Sequence, residues 1–424
     1  MPARPVKKIV IIGGGFAGLN LAQHLSTSKQ FEITLVDRNN YNFFPPLLYQ
    51  VATAFLEPSS ISYPYRRLFR KQPVHFRLGE LVKVSPETHT CYLKDGELAY
   101  DYLVFATGAA INFFGNDNIK KHAIPMKSLS DALHMRNALL STLEQASITT
   151  NPIERKKLLT IVVAGGGPTG VEVAGMLGEL RKYVTQKDYP ELKDSGSLIY
   201  LLDGGPRLLG QMSEAAHEDT LAALHKLNIQ VILNTQVKDY DGDKVSLSNG
   251  QTIETRSLIW TAGVIGVPFE GIPLSSIGKG KRMVTDEYNK VEGLNDVYAI
   301  GDACLQTIDV RFANGHPQLA QTAIQQGKHL AKNFKALAAG KPLRPFKYVD
   351  KGTMAVIGRN NAVVDLTVPA WHFKGFIALW MWLFIHIVGL LTWHNKMRTL
   401  YNWLVAYITK DQSLRMIIRP NKEL

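Results

Sequence analysis

The chain has 424 residues, of which 46% are hydrophobic and 20% charged, and its formal net charge is +12. This length accommodates two or three domains with their own cores, and the basic charge is compatible with anionic cofactors or an anionic membrane surface. The sequence has no zinc-finger spacing, no RNA-binding motif, no long Lys/Arg run and no C-x-x-C pair, so we expect no nucleic-acid partner and no redox-active disulfide, and we predict that Cys91 and Cys304 are buried.

The N-terminal segment predicts a strand, a glycine-rich turn and a helix in succession. Residues 7–12 form the strand, and the G-x-G-x-x-G pattern follows in Gly13, Gly14, Gly15, Phe16, Ala17 and Gly18. A pyrophosphate needs backbone N–H groups at close range, which glycine permits at the start of a helix. The next predicted strand, residues 32–36, ends at Asp37, near the ~20-residue offset of a ribose-binding carboxylate. The alternative is that Asp37 simply ends the strand.

The following segment predicts another close backbone approach and then a helical connection. Residues 103–106 form an apolar strand that leads into Thr107 and Gly108. Residues 126–156 predict a connection with a helix over about 128–146, because its leucines recur near helical spacing.

A second glycine fingerprint follows the apolar residues 159–164. It consists of Gly165, Gly166, Gly167, Pro168, Thr169 and Gly170. The predicted strand over residues 198–202 ends at Asp203, which we interpret as a second ribose carboxylate displaced by the polar insertion 181–197. Its negative charge would repel a 2′-phosphate, which favours NADH over NADPH, although the neighbouring Arg207 could counter that repulsion. Further strands are predicted near residues 229–233, 244–247, 251–253 and 259–263.

A late apolar strand, residues 296–300, runs into Gly301, Asp302 and Ala303. We predict that it returns to the sheet begun at residue 7, so that the first domain is discontinuous and the second is inserted into it. A single glycine turn is a weak signal. Two of them, each between a strand and a helix, predict two dinucleotides on one chain and electron transfer between them.

The C-terminal segment is apolar and then aromatic and basic. Residues 375–395 contain no Asp, Glu, Lys or Arg, and are numerous enough to cross a bilayer as a helix. Three interpretations compete: a helix lying in the membrane interface, which we favour, a transmembrane anchor, or a buried dimer helix. Beyond it, Leu400, Trp403, Leu404 and Tyr407 share a predicted helical face, and the surrounding basic residues suit an anionic headgroup layer. Those basic residues are Lys396, Arg398, Lys410, Arg415 and Arg419.

These motifs together resemble the two-dinucleotide-binding-domain flavoproteins of the glutathione-reductase-like fold over residues 7–365. A narrower resemblance rests on the A-Q-x-A-x-Q pattern of Ala320, Gln321, Ala323 and Gln325, on residues 43–52, 167–172 and 350–355, and on the apolar tail. This set is similar to type II NADH:quinone oxidoreductases across essentially the whole chain. Sulfide:quinone oxidoreductases share the fold and tail but need cysteines at the flavin, which this chain does not place suitably.

The resemblance implies non-covalent FAD at the first fingerprint and NADH at the second. Besides Gly13 to Gly18, the implied FAD residues are Asp37, Arg38, Asn39, Gln50, Val82, Ala106, Thr107, Gly108, Gly301, Asp302 and Ala320. The implied NADH residues are Gly165, Gly167, Pro168, Thr169, Gly170, Glu172, Asp203, Trp260 and Gly263. For Asp302 the alternative is a helix cap, and for Trp260 it is a place in the core. No metal site is expected.

Four residues are the candidates for catalysis. Glu172, one turn into its helix, would face the nicotinamide, unless it is a surface residue near the helix start. Gln321 and Gln325 share a helical face and, with Tyr49, would bind quinone oxygens without adding charge, unless that face is simply exposed. Lys351 would stabilise negative charge on reduced flavin, unless it is only solvated.

The sequence therefore predicts an α/β protein with two Rossmann-like domains, one inserted in the other, and a C-terminal helical membrane-binding segment. The predicted boundaries are 1–125 with 285–365 for FAD, 126–156 for the connection, 157–284 for NADH and 366–424 for the membrane segment. The predicted activity is electron transfer from NADH through FAD to a membrane quinone, without proton pumping. The alternatives are a reductase of a soluble protein acceptor or an NADH-sensing flavoprotein with little turnover. We expect the cytoplasmic face of the inner membrane, contact with anionic lipid through residues 371–419, and a possible homodimer.

Overall fold

The computed structural model describes residues 6–193, 195–409 and 414–418; Lys410 and Arg419 of the predicted basic tail lie outside them. Contacts divide the chain into two compact units. The first unit comprises Met1–Phe43, Tyr63–Ala110 and Val264–Asp350, and the second comprises Phe44–Ser62, Ile111–Gly263 and Lys351–Leu424. These units are defined by packing, whereas the domains predicted from the sequence are defined by the nucleotide that each would bind. The predicted domain boundaries therefore remain a prediction.

A five-stranded parallel sheet forms the centre of the first unit. Its strands lie in the order Val297–Ala299, Tyr102–Phe105, Lys7–Ile12, Phe31–Asp37 and Val74–Leu78. The prediction that the late strand returns to this sheet is confirmed, because Val297–Ala299 pairs in parallel with Tyr102–Phe105. Ile9 and Ile11 are fully buried, as expected of a parallel strand covered on both faces.

Helices Phe16–Leu25 and Ala320–Ala338 pack together in the first unit, where a Cβ at Gly327 would overlap the carbonyl of Ala17. An antiparallel sheet is formed by Leu81–Ser85, Thr90–Leu93 and Gly96–Ala99, and Met283–Val284 pairs with Cys304–Leu305. Both cysteines are buried, as predicted. Further short elements are Tyr41–Phe43, Tyr65–Leu68, Val264–Ile265, Leu274–Ser276, Lys279–Lys281, Gly301–Ala303 and Val310–Phe312.

The second unit repeats this parallel arrangement around the second glycine fingerprint. Its five strands lie in the order Ile124–Pro125, Ser257–Trp260, Thr160–Ala164, Leu198–Leu202 and Gln230–Ile232. In both sheets the strand that precedes the glycine turn is central, and the strand that ends in an aspartate lies next to it. An antiparallel sheet of Val237–Tyr240, Lys244–Leu247 and Thr252–Glu254 accompanies it.

The predicted helical connection is present as Leu129–Ile148 followed by Pro152–Leu159. The first of these helices begins with a capping box, because Ser128 accepts from the Asp131 amide and Asp131 accepts from the Ser128 amide. The other helices of the second unit are Leu48–Ala52, Pro58–Ile61, Asp117–His122, Pro168–Leu180, Gln186–Asp188 and Glu214–Lys226, with helical turns at Pro45–Leu47, Arg181–Thr185 and Pro190–Leu192.

The C-terminal segment forms three antiparallel strands and two helices rather than one long apolar helix. The strands are Thr353–Ile357, Asn361–Asp365 and His372–Lys374, and the helices are Gly375–Gly389 and Trp393–Thr409. The sequence interpretation of residues 375–395 as a possible membrane-spanning helix is wrong, because Leu390 has extended backbone angles and Thr392 starts a new helix by accepting from the Asn395 amide. Within the described residues, every helix is too short or too polar to span a bilayer.

Candidate nucleotide and quinone sites

The first glycine turn brings three backbone segments together. Gly13 has a φ of +102°, and a Cβ there would overlap the carbonyl of Ala106 and approach Thr107. A Cβ at Gly18 would overlap the Gly13 carbonyl, whereas Gly15 faces open space with no atom within 4 Å of its Cβ position. The start of helix Phe16–Leu25 is thus left bare, which is the geometry that a pyrophosphate requires.

Asp37 is bound to the same turn through one of its carboxylate oxygens. One accepts from the Gly14 amide at 2.7 Å and the other from the Asn39 amide at 2.7 Å. Burial raises the pKa of Asp37, and the two amides and the exposed Arg38 oppose that shift. Tyr65, which the sequence analysis missed, donates its hydroxyl to the Gly14 carbonyl at 2.8 Å and packs where a Gly14 side chain would lie.

The other predicted FAD-binding residues include some that follow strands Tyr102–Phe105 and Val297–Ala299, and one at the start of helix Ala320–Ala338. Gly301 has a φ of +70° and donates its amide to the Gln326 side chain at 2.7 Å, so Gln326 is a further residue that sequence reasoning missed. The Thr107 hydroxyl is buried without a partner in the described part of the chain. That orphaned hydroxyl, with open space at Gly15 and Gly108, fits a bound FAD. Val82 lies on the antiparallel sheet and is 47% exposed.

The second turn has the same construction as the first. Gly165 has a φ of +113° and contacts Thr261, a Cβ at Gly170 would overlap the Gly165 carbonyl, and Gly167 is open. Pro168 begins helix Pro168–Leu180 and Thr169 follows it. Asp203 accepts from the Gly166 amide at 2.5 Å and the Gly205 amide at 2.6 Å. The aspartate-to-glycine bond of the first turn is thus repeated in the second, and we call the two turns the glycine cradles.

Trp260 and Gly263 lie beside this second cradle. Trp260 is 4% exposed, donates its indole N–H to the Asn112 carbonyl at 3.0 Å and packs with Phe113 and Phe114. Gly263 has a φ of +76° and contacts the Phe114 ring. Trp260 is therefore part of the core, and its contact with NADH remains a prediction.

Glu172 lies in a buried apolar environment in the second unit. It is 7% exposed, and burial raises its pKa to about 8, against the opposing effect of the Val356 amide and the Trp382 indole. Its charge in turn raises the pKa of Tyr49, whose ring packs edge-on against Trp382 at 6.5 Å between centroids. The alternative that Glu172 is a surface residue is wrong, because its side chain is buried and its helix packs against strand Thr353–Ile357.

Tyr49 is connected to the tail through Gln50. The Trp403 indole donates to the Gln50 side-chain oxygen at 2.8 Å, and the Gln50 amide nitrogen donates to the Tyr49 hydroxyl at 3.0 Å. Trp403 is 5% exposed, whereas Leu400 and Leu404 are 51% and 59% exposed. The prediction that Trp403 shares their lipid-facing side is therefore wrong, since it points into the protein.

Gln321 and Gln325 lie on helix Ala320–Ala338, as predicted, with Ala320 as its first residue. The Gln325 amide is fully engaged with Val349: its nitrogen donates to the Val349 carbonyl at 2.8 Å and its oxygen accepts from the Val349 amide at 3.0 Å. Gln321 donates to the Asp350 carboxylate at a longer 3.3 Å. Lys351, the next residue, is exposed and has an interaction partner.

The two C-terminal helices leave one apolar side exposed. The large exposed side chains are Trp371, Phe376, Ile377, Trp380, Phe384, Ile385, Val388, Trp393, Met397, Leu400, Tyr401, Leu404 and Ile408. We call this set the tail apolar face. Single exposed apolar residues are ordinary, but a run of this size marks a docking surface. Basic residues near it are partly neutralised, since Arg398 pairs with Glu57 at 2.9 Å and Lys374 with Asp219 at 3.0 Å.

Two parallel sheets with matching glycine cradles define a flavoprotein of the two-dinucleotide class, and residues 7–327 match the family model for pyridine nucleotide-disulphide oxidoreductases. Residues 351–417 match the model of the NDH2 C-terminal domain. A type II NADH:quinone oxidoreductase of Mycobacterium tuberculosis is 34% identical over 416 residues, covering 95% of this chain and 88% of that protein. The chain therefore belongs to the type II NADH:quinone oxidoreductases, flavoenzymes that pass electrons from NADH to a quinone.

Further similarities agree with this assignment. An external NADH-ubiquinone oxidoreductase of Saccharomyces cerevisiae mitochondria is 29% identical over 96% of this chain and 82% of that protein. The structure of NDH2 from Plasmodium falciparum in complex with NADH superposes with a TM-score of 0.88 at 23% identity, over 98% of this chain and 100% of that one. A sulfide:quinone oxidoreductase of Aquifex aeolicus shares the fold with a TM-score of 0.73 at 19% identity, over 98% of this chain and 96% of that one.

Proposed function

We propose that this chain carries out NADH:quinone oxidoreduction with FAD at the Gly13–Gly18 cradle, NADH at the Gly165–Gly170 cradle and the quinone beside Glu172 and Tyr49. FAD, when bound, supplies the chemistry that converts a hydride into two electrons for the quinone. The chain itself binds the two pyrophosphates through bare backbone amides, and orients each ribose with Asp37 or Asp203.

The observation that carries this proposal is the burial of Glu172, which is only 7% exposed in the second unit. The overall conversion of NADH and a quinone to NAD⁺ and a quinol consumes one proton from outside the two substrates. Glu172 has a pKa of about 8 because it is buried, so its carboxyl holds a proton at neutral pH inside an apolar environment. A neutral acid with that affinity is able to give up a proton when charge develops on a quinone oxygen.

An anaerobic two-step experiment tests the proposal against its alternatives. Purified protein is mixed with NADH while the flavin absorbance is followed, and a quinone is added afterwards. We expect bleaching followed by rapid recovery. A flavin that stays oxidised with NADH would indicate an NADH sensor with little turnover, and bleaching without recovery would indicate a soluble protein acceptor instead of a quinone.

The two glutamines are expected to differ in effect. Gln321→Ala should slow quinone-driven flavin reoxidation about tenfold and leave NADH-driven reduction unchanged, because a glutamine amide can hydrogen-bond a quinone oxygen without adding charge. Gln325→Ala should instead lower thermal stability only slightly, since it removes two hydrogen bonds to the exposed Val349, whose amide and carbonyl water can then solvate. Stopped-flow half-reactions and melting curves separate the two, and equal losses in both half-reactions for Gln321→Ala would contradict its role.

Coenzyme preference is expected to depend on Glu214 as well as on Asp203. Arg207, the cation nearest in sequence to Asp203, pairs with the Glu214 carboxylate, which holds it away from a 2′-phosphate. Glu214→Gln should raise kcat/KM for NADPH about three- to tenfold with little change for NADH. Adding Arg207→Ala should abolish that gain, and a gain that survives it would contradict this explanation.

The site of action proposed for the chain is a membrane surface, with the tail apolar face inserted among the lipids of the cytoplasmic leaflet of the inner membrane. The size of this face and the absence of acidic residues from residues 375–395 support insertion. Because Arg398, Lys374 and Arg415 pair with acidic residues, the anionic-lipid contribution is expected to be secondary to apolar burial. The same face could support a homodimer, which sedimentation in detergent-free buffer would detect.

A further inference from the structure

We propose that Trp403, on the second tail helix, is a positioning residue that commits the Tyr49 hydroxyl to donate its proton in the hydrogen bond to a quinone oxygen. The proposal rests on the placement of the quinone beside Glu172 and Tyr49. Trp403 lies in the C-terminal segment, far in sequence from the glycine cradles, and in this proposal it takes part in the reduction of the quinone.

The first step is the direction of a buried hydrogen-bond chain. Trp403, Gln50 and Tyr49 are only 5%, 5% and 2% exposed, and their contacts are 2.8 Å and 3.0 Å long. An indole N–H is a donor only. Gln50 must therefore present its oxygen to Trp403, which leaves its amide nitrogen facing the Tyr49 hydroxyl.

The second step concerns the Tyr49 hydroxyl itself. It accepts a hydrogen bond from Gln50, and its pKa is raised by burial and by the charge of Glu172, so it stays protonated. A phenol whose oxygen is already accepting directs its own O–H to a second acceptor. Were the Gln50 amide reversed, its oxygen would accept that proton and Tyr49 would lose its function as a donor.

The third step is rigidity. Trp382 is 1% exposed and packs against the rings of both Tyr49 and Trp403, at 6.5 Å and 5.7 Å between centroids. The helix that carries Trp403 is anchored at its start by Asn395, whose side chain donates to the carbonyls of Ser59, Ser60 and Ser62. The second tail helix therefore holds the chain of hydrogen bonds in a single arrangement.

The test compares Trp403→Phe with Thr399→Val in detergent-solubilised full-length holoenzyme and a water-soluble short-chain quinone. Thr399 lies on the same helix, is fully buried and donates to the Ser60 carbonyl at 3.3 Å, so its substitution removes one hydrogen bond of the helix without touching Gln50. We expect Trp403→Phe to slow flavin reoxidation by quinone about five- to tenfold and to leave flavin reduction by NADH unchanged. Thr399→Val should change neither rate more than about twofold.

A double-mutant comparison separates positioning from general destabilisation. Tyr49→Phe should slow reoxidation at least as much as Trp403→Phe, and the combined variant should be no slower than Tyr49→Phe alone, because Trp403 acts through Tyr49. Gln50→Met, which cuts the chain in its middle, should reproduce Trp403→Phe if the latter folds poorly. Additive losses, or equal behaviour of Trp403→Phe and Thr399→Val, would overturn the inference alone. Unchanged reoxidation in Tyr49→Phe would overturn both the inference and the placement of the quinone.

Discussion

Glu172→Gln is expected to slow quinone reduction about 100-fold while flavin reduction by NADH stays within a fewfold of the parent rate. The amide keeps the shape of the neutral carboxyl but has no transferable proton, and positioned acid–base groups contribute about 10²–10⁴ to a rate. Separate stopped-flow measurements of the two half-reactions check this. Glu172→Asp, which retains the proton at a shorter reach, should recover part of the lost rate.

The pH dependence provides a second readout for the same residue. Because the pKa of Glu172 is about 8, the parent enzyme should hold its quinone-reduction rate from pH 6 to about 7.5 and lose it above pH 8 as the carboxyl ionises. Glu172→Gln should show no such decline. A parent profile that is flat through pH 9, or a decline of the same shape in the variant, would mean that another group supplies the proton.

Glu172→Gln, which is expected to slow quinone reduction, should increase the stability of the folded protein near neutral pH. The folded-state pKa of Glu172 lies above its ordinary value of 4.5, so the folded protein binds the proton more tightly and loses stability as pH rises from about 4.5 to about 8. At pH 7 this costs about 3 kcal/mol. Glu172→Gln should therefore raise the melting temperature at pH 7–9 and change it little at pH 4. If Glu172→Gln were less stable than the parent protein at pH 8, the explanation that burial disfavours the charged form of Glu172 would be contradicted.

Replacing Phe376, Trp380 and Phe384 together by Ser is expected to weaken vesicle binding at least about 100-fold. The three residues lie four apart on helix Gly375–Gly389 and are 64%, 60% and 69% exposed. Inserting such rings removes about 100 Å² of apolar surface from water for each, and half of the resulting free energy already exceeds the ~3 kcal/mol that a 100-fold change requires. Co-sedimentation with vesicles of neutral and of mixed neutral and anionic lipid measures both contributions.

Substitutions on the tail apolar face test membrane insertion more specifically than removal of the tail. Ala378, Leu379, Trp382 and Trp403 of the two tail helices are buried, so truncation after Pro369 would open the core of the second unit as well as remove the membrane contact. Ile148→Ser with Ile153→Ser is the matched control, since these residues are 82% and 77% exposed in the same unit but outside the tail. Retained vesicle binding in the triple variant would refute insertion. A change from dimer to monomer with unaltered binding would assign the face to a homodimer.

The two cradles could be predicted from sequence because each is a local pattern. Glycine at Gly13 and Gly165 is favoured by a positive φ and by neighbouring backbone atoms that leave no room for a Cβ. The strand and helix around each glycine turn follow from short apolar runs. Asp37 and Asp203 were identified by their place at strand ends, and each does bind its own glycine turn. The return of the late strand to the first sheet was also predicted, from the apolar run before Gly301.

Side-chain contacts between segments distant in sequence could not be predicted. Tyr65 over the first turn and Gln326 under Gly301 are single polar residues in ordinary surroundings, with no pattern to mark them. The apolar run 375–395 gave the wrong helix length. Hydrophobicity alone does not show that the Asn395 side chain donates to three carbonyls of residues 59–62 from the first turn of a separate helix, Trp393–Thr409. Gln325 matched its family pattern, yet its amide is fully paired with Val349.

By itself, the sequence determined the two glycine turns and the carboxylate that binds each, since these depend on residues within about 40 positions of one another. It also determined the family, through motifs spread along the whole chain. Only the tertiary structure decided the environment of Glu172, because its pKa of about 8 arises from burial under strands and helices drawn from the two ends of the second unit. It also decided which tail aromatics face outward and which, like Trp403, join the interior. Burial depends on which surfaces pack together, and neither composition nor spacing fixes that packing.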